Sequence, residues 1–124
     1  MNFVLDENCQ ISARHLPINT INAKQLYENN GLPPVGVDDK KFQRLAWKNN
    51  YTIITKDIQL VLRSNHAERD VVFIYGDSGR RWIFVSKHIK LKNRLTLKSL
   101  LANTEVRKGL GFSLIPYYAK GVQK

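Results

Sequence analysis

Tyr51-Thr52-Ile53-Ile54-Thr55-Lys56-Asp57 is the stretch of this 124-residue chain whose reading decides the fold. Its first five residues are all aromatic or β-branched, the composition of a buried strand, and Lys56-Asp57 marks where that strand stops. Two further segments read the same way. Phe3-Val4-Leu5 is an apolar run ended by Asp6-Glu7-Asn8, and Val71-Val72-Phe73-Ile74-Tyr75 is ended by Gly76-Asp77-Ser78-Gly79, a strong turn signal. Short strands that are apolar throughout belong to a parallel sheet covered on both faces, because a solvated face would show as alternation.

Helical patterns lie between these strands. Asp38 or Asp39 can cap a helix with Phe42, Leu45 and Ala46 at helical spacing, acids first and Lys48 late, ending near Asn49-Asn50. Ile58 to about Asn65 reads as a second, with Leu60 and Val61 inward. Upstream, a helix is expected from Gln10 to about Leu16, stopped by Pro17, and another from Ala23 to Asn29 capped by Thr20 or Asn22. Gly31-Leu32-Pro33-Pro34-Val35-Gly36 reads as an ordered loop. Arg81-Trp82-Ile83-Phe84-Val85 suits an antiparallel strand or an extended loop. Lys87 to Asn103 suits an amphipathic helix, or a helix preceded by a short extended piece, and residues 109–116 a last short strand. The alternation of strands and helices predicts an α/β fold, three-layer α/β/α with a mainly parallel central sheet. A single domain over residues 1–124 is expected, with a basic C-terminal extension from about residue 76.

Composition narrows the function classes. The chain is 43% hydrophobic, enough for one real core. No run is long and apolar enough to cross a bilayer, and no leader pattern opens the chain, so a cytoplasmic protein with no membrane partner is expected. Cys9 is the only cysteine, which excludes an intramolecular disulfide and a zinc site built on a cysteine pair. The net charge of +10 is unevenly spread: residues 1–62 carry 7 Lys/Arg against 6 Asp/Glu, and residues 63–124 carry 13 against 4. Such asymmetry suits a domain in which one part does chemistry and another attracts a polyanion, nucleic acid above all. Arg80, Arg81 and Trp82 have the chemistry to grip and stack on single-stranded RNA. Trp82 serves core packing equally well.

Topology brings three carboxylates together. In a parallel sheet, helices begin at the edge where strands end, and ligand sites collect there. Asp6 ends the first strand, Asp57 follows the second, and Asp39 begins the helix between them. That helix carries the chain about 15 Å away. The following strand returns it about 20 Å. Clustered carboxylates repel one another and favour a neutralising cation, and oxygen ligands suit Mg²⁺ or Mn²⁺. A bound ion of that kind activates water for phosphodiester hydrolysis. Asp77, at the end of the third strand, is a candidate fourth carboxylate, and equally a turn residue.

Val4-Leu5-Asp6-Glu7-Asn8, Asp39 followed seven residues later by Ala46, and Ile53-Ile54-Thr55-Lys56-Asp57 together resemble the compact PIN-like domains associated with toxin and antitoxin pairs, over roughly residues 2–75. The resemblance implies a three-layer α/β/α fold and Mg²⁺- or Mn²⁺-dependent ribonuclease chemistry. It also implies Asp6, Asp39 and Asp57 as catalytic metal ligands, with Thr55 or Asn8 orienting a ligand or a metal-bound water. Its partners would be RNA, an antitoxin protein and a second copy in a homodimer. Two positions depart from the family. Gln59 stands where members commonly carry another Asp, and Glu28 is a poor match for a glutamate many members place between the first two aspartates. The alternative reading is therefore a catalytically inactive PIN-like module that binds nucleic acid or an antitoxin.

Overall fold

The computed structural model describes residues 2–33, 38–76, 81–103 and 107–108. The expected strands form where the apolar runs lie: β1 is Asn2–Leu5, β3 is Tyr51–Thr55, β4 is Val71–Tyr75 and β5 is Arg81–Val85. Two short pairings join them, β2 at Ile21–Asn22 and β6 at Arg107–Lys108. The sheet runs β2-β1-β3-β4-β5-β6. Its first four strands are parallel, and β5 and β6 each pair antiparallel with the preceding neighbour. The protein is thus α/β with a mostly parallel sheet.

Four α-helices accompany it: α1 Ala23–Asn29, α2 Asp39–Lys48, α3 Ile58–His66 and α4 Arg94–Asn103. The caps follow local chemistry. Asn22 and Gln25 exchange side-chain and backbone hydrogen bonds to close a capping box on α1, and Asp38 accepts the Lys41 amide at the start of α2. Asn50 takes a φ of 61° in the turn from α2 into β3, a left-handed conformation that Asn tolerates better than most residues. Asn65, buried in α3, accepts the Leu91 amide and donates to the Ile89 carbonyl, fastening the chain that precedes α4. Of Lys87 to Asn103, only Arg94–Asn103 is helix, and the part before it begins as a turn closed by the Ile89 amide on the Ser86 carbonyl. Among the described residues, no helix is long and apolar enough to cross a membrane.

The two faces of the sheet are buried differently. Val4, Ile53, Val71, Phe73, Ile83 and Val85 pack with apolar residues from all four helices, including Leu26, Phe42, Leu60 and Leu97. Phe3, Leu5, Ile54, Val72, Ile74, Trp82 and Phe84 face the other way and meet Cys9, Ile11 and Leu16 of the connection between β1 and β2. The helix expected over Gln10–Leu16 is reduced there to a 3-10 turn at Ala13–His15. Ser12 makes no side-chain capping bond, and Leu16 is already extended (φ −100°, ψ 156°) ahead of Pro17. The strand β2 escapes sequence reading because two residues offer no periodicity.

This division follows from handedness. The connections from β2 through α1 and α2 to β3, and from β3 through α3 to β4, advance in one direction across the sheet, so right-handed crossovers put their helices on one face. The connection from β1 to β2 steps back and passes over the other face. The chain therefore leaves β1 on the opposite side from its exits at β2 and β3. A crevice at the carboxyl ends of the strands is the consequence.

Ile54 is fully buried in the middle of β3. Ile54→Ala is expected to cost about 2–5 kcal/mol of unfolding free energy, measured as a lower urea midpoint with unchanged slope.

Candidate functional site

Asp6 stands directly after β1 and is only 8% exposed. Its amide donates to the Ile54 carbonyl at 2.9 Å, continuing the β1–β3 pairing one residue past the strand, and its own carbonyl accepts from the Cys9 amide at 3.0 Å. Both carboxylate oxygens are engaged. One accepts the Glu7 amide at 2.8 Å, and the other accepts the Thr55 hydroxyl at 2.7 Å. Thr55, fully buried at the end of β3, also accepts the Asp57 amide on the same hydroxyl oxygen, at 3.0 Å. One hydroxyl thus joins the ends of two neighbouring strands and the start of α3.

Asp57 is the N-cap of α3, and its carboxylate accepts the Gln59 amide at 2.9 Å. Asp39 is the first residue of α2 and exposed; Asp38, one residue earlier, performs the capping, so Asp39 is not spent on its own helix. The charges of Asp39 and Asp57 both reach Asp6. Its carboxyl is raised above the usual carboxylate range, first by burial and further by those two charges, against the lowering effect of the Thr55 and Glu7 hydrogen bonds. Among the described residues, no three His, Cys, Asp or Glu side chains are grouped so that they could hold one ion. The three aspartates share an edge and an electrostatic field without forming a closed ligand set.

Tyr27 is a member of this neighbourhood that sequence reasoning missed. Its ring is buried edge-on against Phe42, 6.2 Å between centroids, which couples α1 to α2. Its phenol is pushed up to about 12 by burial and then by the charges of Glu7, Asp6, Asp39 and Asp38, acids that follow β1 and open α2. Nothing in the sequence distinguishes Tyr27 from an ordinary apolar-face residue of a short helix. Beside Asp6 a cavity of about 510 Å³ opens between the 9–12 segment and α1.

The supporting residues divide. Thr55 is oriented onto Asp6, as described, whereas Asn8 is exposed in the turn after β1. Arg81 is exposed at the start of β5, and its side chain passes Gly76, which has a φ of +90°. Trp82 does not present its ring to solvent: at 2% exposure it packs in the second cluster with Phe84, Val72 and Ile74. Its place in β5 explains this, because both faces of that strand are covered: Trp82 and Phe84 pack in one cluster, Ile83 and Val85 in the other. Asp77 and Arg80 lie outside the described residues, as do Pro34 to Gly36 of the expected loop and the expected strand at 109–116.

The chain matches no protein-family model, no curated protein and no solved structure.

The raised carboxyl of Asp6 has a thermodynamic signature. The folded state binds this proton more tightly than the unfolded state, so stability is favoured at low pH and lost as pH rises from the ordinary carboxylate value through the raised one. Asp6→Asn carries no such charge. Its stability relative to wild type is expected to increase across that window, read from urea unfolding at a series of pH values. Thr55→Val removes the hydroxyl that favours the ionised form. It should raise the Asp6 carboxyl further, followed by carboxyl carbon NMR.

Proposed function

We propose that this protein is a Mg²⁺- or Mn²⁺-dependent endoribonuclease of the PIN-like type, of the kind that serves as the toxin in toxin–antitoxin pairs. The observation that carries the reading is Asp6: a buried carboxylate at the end of β1, feeling the charges of Asp39 and Asp57 across the same edge. A fold gains nothing from burying one carboxylate near two others. Such an arrangement is retained where a cation offsets it.

The donors suit that cation in kind. All three are carboxylates, the ligands preferred by hard divalent ions, and Mg²⁺ is usually held by one or two carboxylates together with water and substrate phosphate. A closed cage of three is therefore not a requirement. Asp6, Asp39 and Asp57 would hold the ion, which when bound supplies charge to a phosphodiester oxygen and lowers the pKa of water. Thr55 would keep the Asp6 carboxylate aimed along the edge. The basic second half of the chain, Arg81 within it, would attract the RNA backbone. In this reading the fold is the three-layer PIN-like one, with the 3-10 turn and the chain around it standing where a second helical layer lies. An antitoxin protein and a homodimer are the partners that go with it, in the cytoplasm.

One observation favours a second reading. Gln59, where family members commonly carry an aspartate, is exposed, and its backbone amide rather than its side chain contacts Asp57. With one acid fewer, the chain would be a PIN-like module that binds RNA or an antitoxin without cutting.

The two readings separate on a single assay. Single-stranded RNA incubated with the purified protein should be cleaved with Mg²⁺ or Mn²⁺ and not with EDTA. Asp6→Asn should lower the rate at least about 100-fold, with smaller or equal losses for Asp39→Asn and Asp57→Asn. Unchanged cleavage by Asp6→Asn would sink the nuclease assignment. Salt-sensitive RNA binding with no turnover in either metal would select the silent module instead.

A further inference from the structure

We infer that the cavity beside Asp6 is a nucleobase pocket, which seats the base of one unstacked nucleotide of single-stranded RNA while its phosphate lies at the acidic edge. The inference rests on the ribonuclease reading and names the part of the substrate that the same site selects.

Position is the first support. The cavity is bounded by the end of β1 at Leu5, Asp6 and Glu7, by the following segment, and by the start of α1. These walls part because the chain leaves β1 over one face and β2 over the other. The hollow is thus the β1–β2 branch of the same crevice whose β1–β3 branch holds Asp6, Thr55 and Asp57. A ligand occupying it has one end beside Asp6.

Size and lining are the second. A volume of about 510 Å³ falls within the range of small-ligand sites. Leu5, Ile11, Ala23 and Tyr27 are apolar residues of its lining, and Gln10, Ser12 and Asn22 are neutral polar ones. An aliphatic ligand would strand the polar groups. An anionic one would meet Asp6 and Glu7, and the lysine of the lining, Lys24, is paired with Glu28 at 3.9 Å. A neutral, flat heterocycle with donors and acceptors on its rim satisfies both walls and edges. Nucleobases are such groups, and single-stranded RNA splays them out for recognition by apolar and aromatic surfaces. Phosphate, the anionic part of the nucleotide, stays outside, where a cation would sit.

The test separates the pocket from catalysis. The full-length protein is titrated without metal against the four nucleosides, the four nucleoside 5′-monophosphates and ribose 5-phosphate, by ligand-observed NMR. At least one nucleoside is expected to bind, and ribose 5-phosphate is not expected to compete. Ser12→Trp and Gln10→Trp, both at exposed positions, should weaken nucleoside binding at least about tenfold by filling the hollow, with circular dichroism verifying each fold. In wild type, mapped cleavage sites should favour the same base, and in Ser12→Trp that preference should flatten. The pocket is overturned if no nucleoside binds up to about 10 mM, if ribose 5-phosphate binds equally well, or if both tryptophan variants bind as wild type. A chain that binds nucleosides in this way yet never cleaves RNA overturns the nuclease reading alone.

Discussion

The hydroxyl of Thr55 ties together the carboxyl ends of β1 and β3 and the start of α3. It donates to the Asp6 carboxylate and accepts the Asp57 amide, so one oxygen at zero exposure connects β1, β3 and the first turn of α3. A buried carboxylate needs such donors, because leaving its oxygens unpaired costs several times what one made hydrogen bond contributes. The hydrogen bond therefore precedes any ligand. It makes a charged group tolerable in a place from which water is largely excluded, and it fixes which oxygen faces which strand.

The direction in which the chain leaves β1 is the second constraint. Had the first connection passed over the helical face, Cys9, Ile11 and Leu16 would not meet Phe3, Leu5 and Ile54, and the exits of β1 and its neighbours would run side by side. Divergence opens the edge instead. The nearly charge-balanced first half of the sequence supplies the walls and acids of that opening, while the basic excess lies in the half that contributes β4, β5 and α4.

Much of this was legible from residue order. β-Branched and aromatic runs locate β1, β3 and β4, and the positions of Asp6, Asp39 and Asp57 follow from where parallel strands must end and helices must start. What was illegible had short-range physical causes. Gln10–Leu16 carries a helix-compatible pattern, but it lacks the capping box that starts α1, which is equally short, and Leu16 is held extended ahead of Pro17. β2 is two residues long and exists because Leu5 and Val4 offer an edge to pair with. Trp82 beside two arginines suggests a stacking surface, and only the covering of both faces of β5 reveals it as core. Tyr27 carries no signal at all, because its importance arises from acids that are distant in sequence.

Asp57 holds two offices at once. As N-cap it accepts a backbone amide of α3 and starts a helix whose Leu60 and Val61 are fully buried. As an edge carboxylate it adds to the field at Asp6. The folding of α3 alone calls for an Asp, Asn, Ser or Thr at this position. Asp6 has the reverse character, since its charge is a burden on the folded state. The fold by itself thus accounts for Asp57 and leaves the charge at position 6 without a structural return.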